Sequence, residues 1–92
     1  MKVTFRARAL GHLRQIERYV AADSPTAAGR LVARIERAIL NLADHPLSAP
    51  AGTVPGTRQL AIADTPYLVI CRADADGITI LAVLHAARRA RS

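Results

Sequence analysis

A single cysteine, no tryptophan, two tyrosines and one phenylalanine are spread over 92 residues. One cysteine, Cys71, excludes an internal disulfide framework and cannot alone assemble a cysteine-rich zinc or iron–sulfur site. A reducing, cytoplasmic home is therefore expected. Lysine is almost missing too: Lys2 stands against twelve arginines. Long apolar runs are missing as well. The opening segment MKVTFRARAL is broken by Arg6 and Arg8, and no stretch approaches the ~18 apolar residues of a membrane span. Neither a secretion signal nor an anchor is expected.

What is present suits a folded chain. Hydrophobic residues make up 51% and charged residues 22%, so the apolar content suffices for a core, and the length suits a single domain over 1–92. Thirteen basic residues oppose seven acidic ones, for a net charge of +6. Such a surface attracts polyanions or acidic protein partners. Arginine's planar fork binds carboxylate or phosphate with two hydrogen bonds, whereas lysine acts as a hydrated point charge. The arginine bias, beside nineteen alanines, equally fits the codon usage of a GC-rich genome.

Residues 2–6 alternate, with Val3 and Phe5 on one side, and predict a short strand. From Ala7 to about Ala22, Leu10, Leu13, Ile16, Tyr19 and Val20 recur at three- and four-residue steps and predict a helix. Asp23-Ser24-Pro25 reads as a break and restart, Ser capping and Pro suiting the first helical position. The second helix carries the stripe Ala28, Leu31, Ile35, Ile39 and Leu42, and His45-Pro46 ends it. Its basic row Arg30, Arg34 and Arg37 reads as a solvated face, partly paired with Glu36 or neighbouring acids. Residues 46–56 hold three prolines and two glycines and form a loop. TRQLAIA, PYLVICRA and GITILAVLH follow as three antiparallel strands, the last two joined across an Asp-Gly turn. The order β-α-α-β-β-β belongs to the α+β class, with a helical hairpin on one face of a small, mostly antiparallel sheet.

Strict alternation puts Tyr67, Val69 and Cys71 opposite Leu68 and Ile70, and Ile78, Ile80, Ala82 and Leu84 opposite Leu81 and Val83. Both sheet faces are then apolar, and one helical hairpin covers one of them. The second face calls for another chain as its cover, the alternatives being the first strand, the proline-rich loop or the C-terminal tail.

The helical pattern AADSPTAAGRLVARIERAILNLADHP, the strand Gly56-Thr57-Arg58-Gln59-Leu60, the strand Pro66-Tyr67-Leu68-Val69-Ile70 and the closing Val83-Leu84-His85-Ala86-Ala87-Arg88 together resemble the ParE/RelE superfamily of bacterial type II toxins, also known as plasmid-stabilisation proteins. The resemblance spans nearly the whole chain. It implies the RelE/ParE toxin fold and a toxin held in a hetero-oligomer by a ParD-like antitoxin, whose extended C-terminal segment wraps it. No cofactor is implied.

The superfamily divides into RelE-like, ribosome-dependent nucleases that cut mRNA and ParE-like, non-enzymatic poisons of DNA gyrase. Metal-independent RNA cleavage by the 2′-hydroxyl needs a proton acceptor, a donor for the leaving oxygen and cations for the phosphate. Arg58, Arg72, Arg88 and Arg89 offer cations, His85 a proton relay and Tyr67 a donor, so Arg58, His85 and Arg88 form the nuclease candidate set. Against that set, the resemblance to RelE-like nucleases fails at the C-terminus, where Ala86 and Ala87 follow His85 and no aromatic appears. The glutamates, Glu17 and Glu36, both lie in the helices. GTRQL, PYLVIC and LHAAR resemble the ParE branch, which is favoured. There Arg58, Tyr67, Arg72, His85, Arg88 and Arg89 become contacts for the antitoxin or target, with Arg58 pairing an antitoxin carboxylate or Asp64. His12 and His45 show no metal-ligand spacing with each other or with Cys71, so no metal site is expected. Cys71 reads as a small buried apolar residue. Promoter recognition by this chain alone is not expected, since no recognition-helix motif stands out.

Overall fold

The computed structural model describes residues 2–87. Six elements follow in order: β1 (Lys2–Phe5), α1 (Ala7–Ala21), α2 (Pro25–Asp44), β2 (Arg58–Ala61), β3 (Tyr67–Asp74) and β4 (Gly77–His85). The sheet order is β1-β4-β3-β2, with β1 parallel to β4 and the other pairs antiparallel. This is the expected α+β arrangement, two helices packed on a four-stranded mixed sheet.

The helical hairpin turns where the sequence places it. The Ser24 hydroxyl accepts the Ala27 N–H at 3.1 Å and Pro25 occupies the first turn, where its missing N–H costs nothing. From α2, Ile35, Ile39 and Leu42 lie fully buried against Val69, Cys71, Ile78, Ile80 and Val83 of the sheet. Each such aliphatic side chain contributes about 1.5–3 kcal/mol on leaving water. The stripe of α1 differs from the predicted one. Ala9 is the buried residue of this helix, with Leu13 and Ile16 packed beside it, whereas Leu10 is 40% and Tyr19 76% exposed. Small Ala9 brings α1 close to the sheet, which rotates Leu10 and Tyr19 outward.

Strand β4 departs from strict alternation. Its register to β3 runs Cys71 to Ile80 and then Ile70 to Ala82, leaving Leu81 as the extra residue of a bulge. The bulge returns Val83 to the helix side with Ile78 and Ile80, and moves Ala82 and Leu84 to the other face. The predicted parity of Ala82, Leu84 and Val83 is thereby reversed. The bulge sits where β4 changes neighbours, because β1 ends at Phe5 opposite Ile80 and the Arg6 N–H donates to the Ile80 carbonyl as the chain turns into α1.

The outer sheet face carries Leu68 and Ile70 of β3 with Ala82 and Leu84 of β4. Ile70 and Ala82 are buried, while Leu68 and Leu84 are half-buried. Two of the candidate covers lie elsewhere. β1 is an edge strand within the sheet, and the proline-rich loop runs along the outer edge of β2, where the Gln59 N–H donates to Pro50 O and the Gly52 N–H to Thr57 O. Ala49 of that loop joins the helix-side core. The C-terminal tail lies outside the described residues.

Gly77 begins β4 at φ 150°, and a Cβ there would collide with the Lys2 carbonyl oxygen. The close approach of β1 to β4 thus requires glycine at this turn.

Candidate functional site

A groove of about 780 Å³ opens between the outer side of α1 and the end of the sheet where β3 begins and β4 finishes. From α1 it takes His12, Gln15, Ile16 and Tyr19; from the sheet, Tyr67, Val83 and His85. The elements explain the convergence. The bulge at Leu81 turns Val83 and His85 toward the helix side, and register places His85 directly opposite Tyr67. Their rings meet edge to face, with centroids 5.6 Å apart and planes at 85°.

Tyr67 is fixed by the preceding turn. The Thr65 hydroxyl donates to Ile62 O and accepts the Tyr67 N–H, while Tyr67 O accepts the Ile62 N–H. Asp64 takes a left-handed conformation at φ 62° in the same turn, which aspartate tolerates better than most residues.

Both histidines of the groove have one ring nitrogen committed. Nδ1 of His12 accepts the Val83 N–H at 3.1 Å, and Nδ1 of His85 accepts the Ala87 N–H at 3.2 Å. The neutral ring then carries its proton on Nε2, so each histidine acts through that nitrogen as a donor. Burial pushes the His12 pKa below its ordinary value, and the Arg8 charge adds to the effect. With the hydroxyls of Tyr19 and Tyr67 and the Gln15 amide, the groove is apolar in its walls and rich in donors at its rim.

The predicted site residues divide. Tyr67 and His85 come together here. Arg58 lies on the same sheet face but opposite Cys71, four residues along β3 from Tyr67 and so ~13 Å away. Its guanidinium donates to Ala49 O at 2.8 Å, tying the proline-rich loop to β2. Asp64, an expected partner of Arg58, pairs instead with Arg34 of α2 at 3.4 Å. The reason is the β2–β3 turn, which swings Asp64 toward the second helix. Arg72 is exposed on the outer face, opposite Thr79. Arg88 and Arg89 lie outside the described residues. Cys71 is buried, and burial raises its thiol pKa against the smaller lowering by the Arg58 charge. His12, Gln15 and Tyr19 escaped sequence reading as site residues. The signal was an outward-facing Tyr19 seven residues after His12, two helical turns along one face.

Among the described residues, no group of three or more His, Cys, Asp or Glu side chains could hold a metal ion, and no helix is long and apolar enough to cross a membrane.

Comparison with known proteins gives this geometry its context. Residues 3–90 match the family described as the ParE toxin of the type II toxin-antitoxin system parDE. The chain is 41% identical over 85 residues to a Sinorhizobium fredii protein named "Putative toxin Y4kP", covering 92% of this chain and 88% of that one. A solved structure titled "Chromosomal ParDE TA system from P. aeruginosa" contains a chain with the same fold, at a TM-score of 0.81 and 24% identity, covering 92% of this chain and 95% of that one. With its helical hairpin, its β1-β4-β3-β2 sheet and a family match across nearly its whole length, the chain belongs to the ParE toxin family of type II toxin-antitoxin systems.

Proposed function

We propose that this single-domain protein is a cytoplasmic toxin that inhibits DNA gyrase and so blocks replication, and that a ParD-like antitoxin neutralises it in a toxin-antitoxin hetero-oligomer by seating a segment in the groove between α1 and the β3–β4 end. Family membership supports the antitoxin partner. The groove offers apolar walls for side chains and a rim of donors for the carbonyls and carboxylates of an acidic peptide, and the net charge of +6 draws such a peptide in. Tyr67 and His85 are its contacts on the sheet side. Arg72 is assigned to partner or target contacts outside the groove, and Arg88 and Arg89 to partner or target contacts.

One observation carries the choice of gyrase over mRNA. A nuclease needs a base with a free lone pair and cations converging on one phosphate. Here the Nδ1 lone pair of His85 accepts a backbone N–H, and Arg58, the candidate cation on the same sheet face, is turned into the loop at Ala49. The test assays the purified chain on two substrates: supercoiling by gyrase, and mRNA on translating ribosomes. Gyrase inhibition with intact mRNA is expected. Codon-dependent mRNA cleavage with gyrase untouched would overturn the reading and return Arg58, His85 and Arg88 to the nuclease role.

A further inference from the structure

Helix α2 presents a second chemistry, on a face that lines no part of the groove. Arg30, Arg34, Arg37 and Asn41 follow one another at steps of four, three and four residues, which puts them in one row along the helix, and all four are exposed. Glu36 lies roughly 130° round the helix from this row, and Asp44 stands beyond its end. Among the described residues, the one ion pair made by the row joins Arg34 to Asp64, at 3.4 Å with both side chains mostly open to water. An exposed pair of this kind holds its partners weakly. The row therefore keeps most of its positive charge.

We propose that this face of α2 binds the phosphate backbone of duplex DNA without reading its bases. From Arg30 to Arg37 the helix rises ~10 Å, the axial length over which one strand of a duplex presents about three phosphates. The arginine fork matches a phosphate with two parallel hydrogen bonds. Beside the row, Arg34, Arg37, Ala38 and Asn41 border a cleft against Ile62 and Ala63 of the β2–β3 turn. Arg34 also donates to Ala63 O at 3.2 Å and holds that wall in place. The cleft admits a phosphate beside the Arg37 guanidinium and the Asn41 amide.

The row lacks what a protein partner would require. The row itself has no aromatic or large aliphatic anchor, the side chains around which protein interfaces concentrate their energy, and the exposed Leu40 stands about a quarter turn round the helix from it. Ala33 and Ala38 flank it and leave the guanidinium heads clear. On α1, by contrast, Glu17 stands between Arg14 and Arg18 and cancels part of their charge. Base reading is not called for, since the chain carries no recognition-helix motif.

The experiment measures binding of the full chain to a labelled duplex of arbitrary sequence, by fluorescence anisotropy across a salt series. No gyrase is present, so the outcome is separate from the identity of the toxin's target. Replacing three phosphate contacts should reduce the slope of log affinity against log salt by about 2.7 in the variant Arg30→Ala/Arg34→Ala/Arg37→Ala. The double variant Arg30→Ala/Arg37→Ala keeps the Arg34–Asp64 pair and should reduce it by about 1.8. Arg14→Ala/Arg18→Ala should leave the slope near wild type. Far-UV circular dichroism checks that the folds agree. Wild-type slopes in both α2 variants, no duplex binding by the wild type at low salt, or tighter binding of a single-stranded RNA of equal length would each overturn the proposal.

Discussion

His12 on the first helix and Val83 on the last strand, 71 residues apart, are joined by a hydrogen bond from the Val83 N–H to the imidazole Nδ1 at 3.1 Å. Strand β1 has already ended at Phe5, so the helix supplies the acceptor that a neighbouring strand would otherwise give. This bond closes the floor of the groove and fixes the tautomer of the neutral ring.

A pH dependence follows. The folded His12 pKa lies below its ordinary 6.5, through burial and the Arg8 charge, so the unfolded chain takes up this proton first. The stabilisation is full above about pH 6.5 and is lost as pH falls toward the folded value. Denaturation midpoints measured from pH 8 to pH 5 should decline across that window. His12→Phe should flatten this part of the decline and cost about 1–3 kcal/mol at pH 8, because the N–H of buried Val83 loses its acceptor.

Gly77→Ala should destabilise the fold by about 1–3 kcal/mol, from left-handed strain and the collision with the Lys2 carbonyl. Hydrogen exchange at Val3 to Phe5 is the specific readout. Faster exchange confined to β1 is expected, and a neutral substitution would show that β1 shifts freely.

Ser24→Ala should cost about 1 kcal/mol through loss of the cap on the Ala27 N–H, whereas Ser24→Asp should hold stability. Ile39→Ala, in the middle of the α2 stripe, should cost about 2–5 kcal/mol. Urea unfolding ranks the three. An Ile39 variant no worse than the cap variant would contradict the packing described.

At the groove, Tyr19→Ala and Tyr67→Ala should each weaken antitoxin binding about tenfold or more, while Arg72→Ala on the outer face should leave that groove contact unchanged. Calorimetric titration with the antitoxin's C-terminal segment distinguishes them. Equal losses at all three positions would place the peptide elsewhere.

Much of this architecture could be read from residue order. The Ser24-Pro25 restart, the His45-Pro46 stop and the Asp-Gly turn are local signals, and each falls within a residue or two of the observed boundary. The bulge at Leu81 could not be read, because its cause is the end of β1 opposite Ile80, a contact between residues 75 positions apart in the Lys2–Gly77 register. Strict alternation therefore puts Ala82, Leu84 and Val83 on the wrong faces, and the meeting of His12 with β4 has no local signal in the sequence. The Arg34–Asp64 pair was hidden for the same reason, since the turn that carries Asp64 is positioned by tertiary contacts. Tyr67 and His85 were legible as candidates because both flank strand ends, and their pairing follows once the register is known.

The parallel pairing of the first strand with the last also sets a schedule during synthesis. A central strand of the sheet is the last one made, so β1 leaves the ribosome without its strand partner and the helices without Ile78, Ile80 and Val83 of their core until β4 emerges. A polypeptide halted before β4 lacks Ile78, Ile80 and Val83 of the core and has no sheet-side wall to the groove, because Val83 and His85 line it. Truncated products are then poorly protected from proteolysis, and a partner that seats in the groove, as proposed, would pass them over and engage the completed chain alone.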